Sequence, residues 1–175
     1  ITKDAQLQSA PFRYRKCEQI RSYRPTLRAS DQALLDAAEL LNRAERPMLI
    51  AGQGVVLSGG QQALLDLAER TGVPVAWTLL GIDAFPAAHP LAVGMVGMHG
   101  NYGPNVKSAE CDCLLAIGMR FDDRVTGDPK TYATQAKVIH LELDPSEIDK
   151  VIHADVPVLG DARDSMARML PLLDK

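Results

Sequence analysis

The sequence predicts an α/β fold with a doubly wound, mainly parallel sheet and helices on both faces. Three observations predict it: short continuous apolar runs recur along the chain, segments with helical apolar spacing separate them, and glycine closes several of the runs. Continuous apolar strands are typical of parallel sheets that are covered on both faces. Right-handed crossovers between such strands then give a Rossmann-like domain.

Size and charge limit the classes of function. The chain has 175 residues, 46% hydrophobic and 23% charged, with a net charge of −3, which suits one globular domain. It has no basic surplus, no apolar stretch of the ~18 residues that a membrane span needs, and no signal pattern. We therefore expect a cytoplasmic protein that binds neither nucleic acid nor membrane.

The three cysteines do not suggest a disulfide framework, because their number is odd and Cys111-x-Cys113 lacks a usual zinc spacing. Cys113 opens an apolar run and is interpreted as a buried structural thiol. Residues 1–29 hold prolines and scattered arginines without periodicity, which predicts a linker or arm from a preceding domain. Residues 30–175 form the predicted domain, and the missing initiator methionine suggests further domains outside the chain.

The regular elements follow in order from Ser30, a plausible N-cap. The first helix carries apolar positions at helical spacing: Leu34, Leu35, Ala37, Ala38 and Leu41, with Glu45 in the same series. Pro47 can end it. The predicted strands are 48–51, 73–78, 113–117, 138–143 and 156–159. The further predicted helices lie around residues 64–68, ended by Gly72, and at 102–110 and 162–173.

Ligands collect at the carboxyl ends of parallel strands, so the residues after each strand are the candidate site. Gly52-x-Gly54 begins a dinucleotide fingerprint, but Leu57 stands where the third glycine belongs. A tight strand-to-helix turn is the preferred interpretation. The segment 120–127 packs four charges into five positions, and it is either a solvated loop of local ion pairs or a clamp for an anionic or polyhydroxylated ligand.

The segment 94–100 is rich in glycine and methionine, so it is either a bend with core methionines or a flexible apolar wall against a planar ring. No partner at catalytic spacing makes His99 a general base. His140, inside a strand, is interpreted as a satisfied structural histidine. The residues by themselves predict a nucleotide-binding domain without visible catalytic machinery.

Several motifs resemble the central domain of acetolactate synthase (acetohydroxyacid synthase) large subunits over about residues 30–174. The most specific is the string 118–127, Gly-Met-Arg-Phe-Asp-Asp-Arg-Val-Thr-Gly. Supporting matches in order and spacing are 51–54, Phe85-Pro86 with His89-Pro90, 94–100, 140–145 and 160–162. The string Gly81-Ile82-Asp83 departs from the family pattern, which weakens the match near Thr78 and Leu79.

The resemblance implies a thiamine-diphosphate-dependent transferase of branched-chain amino-acid biosynthesis, which condenses pyruvate with pyruvate or 2-ketobutyrate. It places FAD on this domain, and thiamine diphosphate and Mg²⁺ on the outer domains. A homodimer or tetramer with a regulatory subunit is implied for the full enzyme. The chain alone is expected to be inactive. The alternatives are the central domain of a pyruvate oxidase or glyoxylate carboligase, or a stand-alone NAD-binding module.

The resemblance also assigns residues, without a catalytic or metal-binding residue among them. The substrate channel would contain Met98, Asp123 and Arg124, with Arg124 meeting the carboxylate of the second keto acid. The FAD contacts would be Gly52, Gln53, Gly54, Thr78, Leu79, Met98, His99, Gly118, Arg120, Asp122, Arg124, Val125, Glu142, Asp161 and Ala162.

Overall fold

The computed structural model describes residues 1–18, 20 and 23–174. The predicted arm includes Gln19, Arg21 and Ser22, and the predicted domain ends at Lys175; these four positions lie outside the described residues. No helix in the described part of the chain is long and apolar enough to cross a membrane.

The described residues form an α/β domain. The helices are α1 (Lys3–Gln6), α2 (Asp31–Arg43), α3 (Gln53–Leu57), α4 (Gln61–Thr71), α5 (Tyr102–Glu110), α6 (Asp123–Thr126) and α7 (Ala162–Met169). The strands are β1 (Pro47–Ala51), β2 (Val75–Trp77), β3 (Ala92–Met95), β4 (Cys113–Ile117), β5 (Lys137–Glu142) and β6 (Val156–Leu159). Short 3₁₀ turns lie at Leu79–Gly81, Pro145–Glu147 and Leu170–Leu172.

The sheet confirms the predicted fold class. Its strand order is β3-β2-β1-β4-β5-β6, and every pair of neighbouring strands is parallel. The chain winds outward from β1 in one direction and from β4 in the other, so the order reverses between these two strands. In doubly wound sheets this reversal opens a crevice at the carboxyl ends of the strands, where ligands bind.

Two apolar layers cover the two faces of the sheet. Side chains alternate along β1 and β4, so that Leu49 and Leu115 pack into one layer while Ile50 and Leu114 pack into the other. All four are fully buried. The strands therefore read as continuous apolar runs because both of their faces are covered.

Helix α2, the first predicted helix, has the predicted N-cap, since Ser30 Oγ accepts the backbone N–H of Ala33 at 3.2 Å. The expectation that Leu35 widens the buried face is wrong, because its side chain is 48% exposed. The helix ends at Arg43, so Glu45 lies outside it. Gly72 ends α4 in the left-handed conformation with φ +67°, as predicted.

One strand was not predicted. Residues 92–95 form the edge strand β3, although Gly94 and Met95 were assigned to a segment expected to be either a bend with core methionines or a flexible apolar wall. All its residues are only half-buried and Gly94 has φ +106°, so it carries neither the continuous apolar pattern nor the alternation of a strand. The short helix α3 was likewise not distinguished from the turn before α4.

The cysteine in β4 is a buried structural thiol, as predicted. Burial, with a smaller contribution from the Asp112 carboxylate, raises the pKa of Cys113 to about 12. The same two causes raise the pKa of Cys111 to about 11. Both thiols are therefore protonated and poorly nucleophilic at neutral pH.

Candidate ligand-binding site

A cavity of about 710 Å³ opens at the carboxyl ends of the strands, across the reversal between β1 and β4. This volume lies within the ~300–1,000 Å³ typical of small-molecule sites. Its lining comprises Tyr23, Gln53, Gly54, Leu57, Ser58, Thr78, Leu79, Leu80, Met95, Val96, His99, Gly118, Met119, Arg120, Phe121, Asp122, Arg124, Val125, Leu141, Glu142, Leu143, Glu147, Gly160, Asp161 and Ala162.

The cavity brings together nearly all the residues that the resemblance assigned to cofactor contact. Gly52 and Met98 are the exceptions among them, and Asp123 of the predicted channel is also absent from the lining. Met98 and Asp123 nevertheless lie beside a lining residue. Arg124 approaches Met98 Sδ with Nη1 at 3.4 Å and the Asp123 carboxylate with Nε at 3.9 Å.

The cavity floor is a junction of glycines. Gly52 N–H donates to the Ile117 carbonyl at 2.8 Å, and Gly54 N–H donates to the Gly118 carbonyl at 3.0 Å. A Cβ added at Gly54 would lie 2.6 Å from the Gly118 Cα, closer than real contacts allow. These glycines therefore let two loops meet backbone to backbone, which confirms the tight-turn interpretation of Gly52-x-Gly54.

The loop after β4 combines a local ion pair with a buried anchor. Asp122 accepts the backbone N–H of Arg124 at 3.0 Å as the N-cap of α6, and it lies 3.4 Å from Arg120 Nε. Both arginine side chains remain about two-thirds exposed, at 68% and 70%. Phe121 is 2% exposed and has φ +52°, a left-handed conformation that is rare outside glycine. The ion pair predicted by one interpretation exists, and it leaves both guanidinium groups accessible to an anion.

Carboxylates line the cavity at the end of β5 and after β6. Glu142 Oε1 accepts the backbone N–H of Leu143 at 2.8 Å, and Asp161 accepts that of Asp164 at 3.0 Å as the N-cap of α7. Backbone amides thus fix both groups in place. Fixed carboxylate oxygens are acceptors for hydroxyl groups of a ligand.

His140 lies behind the site as a buried residue of β5, and its interpretation as a satisfied histidine holds for Nε2 but not for Nδ1. It is fully buried in β5, its Nε2 lies 2.7 Å from the Met119 carbonyl, and its ring meets Phe121 edge to face at 4.9 Å. Its Nδ1 has no hydrogen-bond partner among the described residues. Burial lowers the pKa of His140, so the ring is neutral at pH 7. The described residues contain no group of three or more His, Cys, Asp or Glu side chains that could hold a metal ion.

The sequence profile of one protein family, described as "Thiamine pyrophosphate enzyme, central domain", matches residues 34–169. The chain belongs to this family. The match spans every strand and the helices α3 to α7, and so includes all the strand ends that build the cavity. The predicted resemblance to acetolactate synthase large subunits is confirmed by the curated relatives.

Three relatives show how far the likeness to this central domain extends. The "Probable acetolactate synthase large subunit" of Methanocaldococcus jannaschii is 47% identical over 151 residues, covering 86% of this chain and 26% of that protein. The large subunit of Corynebacterium glutamicum is 41% identical over 97% of this chain and 27% of its own length. Isozyme 3 of Escherichia coli K12 is 38% identical over 94% and 29%. The chain thus spans about a quarter of these proteins.

A solved structure shares the fold of this central domain. It is a protein of Mycobacterium smegmatis assigned as a thiamin diphosphate-dependent enzyme, with a TM-score of 0.71 and 25% identity. The similarity covers 89% of this chain and 30% of that one. The chain therefore has the fold of one section of a much longer enzyme chain.

Sequence reasoning missed about half of the lining of the central domain's cavity. Some missed residues directly flank predicted ones, as Leu141 and Leu143 flank Glu142, and extending each strand end by one position would have found them. Tyr23 comes from the predicted arm, and Leu57 from the end of the unpredicted helix α3. No local pattern marks these two, because tertiary folding brings them to the cavity.

Proposed function

We propose that this chain is the FAD-binding central domain of an acetolactate synthase large subunit. The domain comprises residues 30–175, and residues 1–29 are an arm connecting it to a preceding domain. The full enzyme condenses pyruvate with pyruvate or 2-ketobutyrate in valine, leucine and isoleucine biosynthesis. The names of the relatives support the activity, and the family supports the dependence on thiamine diphosphate.

The observation that carries the proposal is the composition of the cavity at the strand reversal. The residues that the motifs assigned to a flavin come from loops separated by up to about a hundred positions, yet all but Gly52 and Met98 line one cavity. A solvated loop of ion pairs gives no reason for Arg120 to share a cavity with Glu142 and Asp161. A single extended ligand that contacts all of these loops does.

The lining has the chemistry that FAD requires. Arg120 and Arg124 are cationic partners for a diphosphate, since a guanidinium binds phosphate oxygens in a bidentate way. Glu142 and Asp161 are fixed acceptors for sugar or ribityl hydroxyls. Met95, which is half-buried, and other apolar residues of the lining would face the flat ring of a flavin. The condensation involves no net redox change, so the flavin would serve mainly as a bound structural group.

Arg124 is the proposed contact for the carboxylate of the second keto acid. Its side chain is 70% exposed, so a small anion can reach it. Met98 and Asp123 both lie beside its guanidinium, at the distances given above, and would form the adjoining channel wall. The binding of thiamine diphosphate and Mg²⁺, oligomerisation, a regulatory subunit and a cytoplasmic location belong to the same proposal for the full enzyme.

The test uses the full-length enzyme, assayed for acetolactate with bound flavin measured by absorbance after purification. Arg124→Ala removes a charge-assisted bidentate contact worth about 1.5–3 kcal/mol, so kcat/KM for the second keto acid should fall about 10- to 150-fold. Arg43→Ala is the matched control, because Arg43 pairs only with Glu39 on the exposed face of α2 among the contacts described. Acetate or a tartronate product instead of acetolactate would show a pyruvate oxidase or a glyoxylate carboligase.

In the full enzyme we expect a preceding domain to cover part of the flavin and the outer domains to hold the thiamine group. The chain alone should therefore be folded, colourless and inactive. NAD added to the purified chain is expected not to bind. Saturable NAD binding would instead support a stand-alone nucleotide-binding module. One tightly held flavin per chain would show that the central domain suffices for cofactor binding.

A further inference from the structure

The cavity wall at Val96–His99 is held by a side chain outside the motifs and outside the lining. Asn105, one turn into α5, forms a reciprocal pair of hydrogen bonds with a single residue of the wall. Its Oδ1 accepts Gly97 N–H at 2.8 Å, and its Nδ2 donates to the Gly97 carbonyl at 3.0 Å. Both polar atoms of the amide are thus used on one peptide segment.

The hydrogen bonds from Asn105 matter at Gly97 because the backbone there has an unusual conformation. Its φ is +99°, which favours glycine, and a Cβ there would lie 2.5 Å from the Arg124 carbonyl. A glycine in such a bend is flexible unless residues from other elements contact it. The Asn105 amide bonds both hydrogen-bonding groups of Gly97, whose carbonyl also accepts the Gly100 N–H at 2.9 Å, and Asn105 is the partner that ties this bend to α5.

The same bend reaches the proposed anion contact. Met98 N–H donates to the Arg124 carbonyl at 2.7 Å, and Met98 Sδ lies 3.4 Å from Arg124 Nη1. Met98 therefore touches both the backbone and the side chain of Arg124. The residues on either side of the bend, Val96 and His99, line the cavity. Hydrogen bonds join Asn105 to Gly97 and Met98 to Arg124, and the peptide bond between Gly97 and Met98 connects the two pairs.

We propose that Asn105 is a positioning residue that fixes the wall at Val96–His99 and, through Met98, the placement of Arg124. The expected effect on flavin and keto acid rests on the proposed function, whereas the hydrogen bonds between Asn105 and Gly97 do not depend on a ligand. Losing Asn105 would leave the Gly97 N–H without its acceptor and the Gly97 carbonyl with only the Gly100 N–H at 2.9 Å, which loosens the segment that carries Met98 and its contacts with Arg124.

The test compares Asn105→Ala, Asn105→Asp and Asn101→Ala in the full-length enzyme. Asn101 is the matched control, because it is the neighbouring asparagine on the same segment and its Oδ1 contacts Met95 N only at 3.4 Å, beyond ordinary hydrogen-bond length. Asn105→Asp keeps the shape and the acceptor for Gly97 N–H but loses the donor, and it serves as the second variant should the alanine variant not fold.

Three readouts separate positioning from general stability. Hydrogen exchange at the Gly97 and Met98 amides should be at least about tenfold faster in Asn105→Ala. Flavin affinity should fall about tenfold, and KM for the second keto acid should rise more than kcat falls. Asn105→Asp should lie between this variant and the wild type, and Asn101→Ala should stay within about twofold of wild type.

The outcomes distinguish the two proposals. Unchanged hydrogen exchange at Gly97 and Met98 in both Asn105 variants would refute the claim that Asn105 fixes the wall. An equal increase in exchange in Asn101→Ala would refute it too. Faster exchange with unchanged flavin affinity and KM would overturn the positioning role while leaving the proposed function to the Arg124→Ala result. A wild-type enzyme without flavin or acetolactate would refute the proposed function, and the exchange measurement would still decide whether Asn105 fixes the wall.

Discussion

The glycine junction beneath the cavity makes a quantitative prediction about stability. Gly118 has φ +59°, and a Cβ there would lie 2.6 Å from the Gly54 Cα. Gly118→Ala therefore meets two separate penalties. A left-handed conformation costs a non-glycine residue about 1–2 kcal/mol, and forcing packed backbones apart costs about 1–3 kcal/mol. The sum is about 2–5 kcal/mol of unfolding free energy.

Two matched variants isolate the two penalties. Gly72 has φ +67° with nothing within 4 Å of its Cβ position, so Gly72→Ala carries only the conformational cost. Gly54 meets the Gly118 Cα at 2.6 Å but has no positive φ, so Gly54→Ala carries only the steric cost. Because Gly54 lies in α3, the better helix propensity of alanine offsets about 1 kcal/mol of it.

Urea unfolding of the purified chain, followed by far-ultraviolet circular dichroism, measures all three. With a slope near ~2 kcal/mol per molar urea, the Gly118→Ala midpoint should lie about 0.5–1.5 M below that of Gly72→Ala. Identical midpoints for these two variants would refute the reasoning, because the steric contact between the loops would then carry no energy.

Three further predictions concern buried or fixed groups. Burial lowers the pKa of His140 below its ordinary value of 6.5. The contribution of His140 to stability is therefore complete above pH 6.5 and is lost as the pH falls toward the lowered pKa. The variant His140→Gln, whose amide can still donate to the Met119 carbonyl, should show a shallower loss of unfolding free energy between pH 7 and 5. Cys111 and Cys113 are buried and have raised pKa values, so they should react with a thiol reagent at least about tenfold more slowly in native protein than in urea-denatured protein. Equal reaction rates in the two states would contradict their burial. Asp112 accepts the N–H groups of two backbone amides just before β1 at 2.9 Å, and these hydrogen bonds outweigh burial and hold the pKa of Asp112 below its ordinary value. The variant Asp112→Ala should therefore lose about 1–3 kcal/mol of unfolding free energy at pH 7. A loss below about 0.5 kcal/mol would show that these hydrogen bonds do not stabilise the fold.

The sequence predicted those parts of the fold that local pattern determines. The run 113–117 is apolar throughout because both faces of β4 are covered, and Gly72 marks a helix end because its left-handed conformation favours glycine. Strand β3 was missed because it is a half-buried edge strand with a glycine at φ +106°. Local pattern carries no information about such a strand, whose position depends on pairing with β2.

The candidate site was predictable where motifs follow strands and not elsewhere. The string 120–124 was found from its charge density, yet the strained backbone of Phe121 and its packing on His140 could not be. The sequence likewise predicted the tight turn at Gly52-x-Gly54, but not its close approach to the backbone at Gly118. Contacts between distant loops depend on the strand order, which no short segment determines.

The charge pattern of the cavity has a directional consequence. Its two arginines follow β4, next to the centre of the sheet, while the fixed carboxylates lie at the end of β5 and after β6, with β6 at the sheet edge. An elongated ligand carrying phosphates at one section and hydroxyls at another would be favoured in one orientation only, since the reversed orientation would put its phosphates against Glu142 and Asp161. The sheet therefore gives the cavity a polarity, and that polarity selects which end of the ligand points toward Arg124.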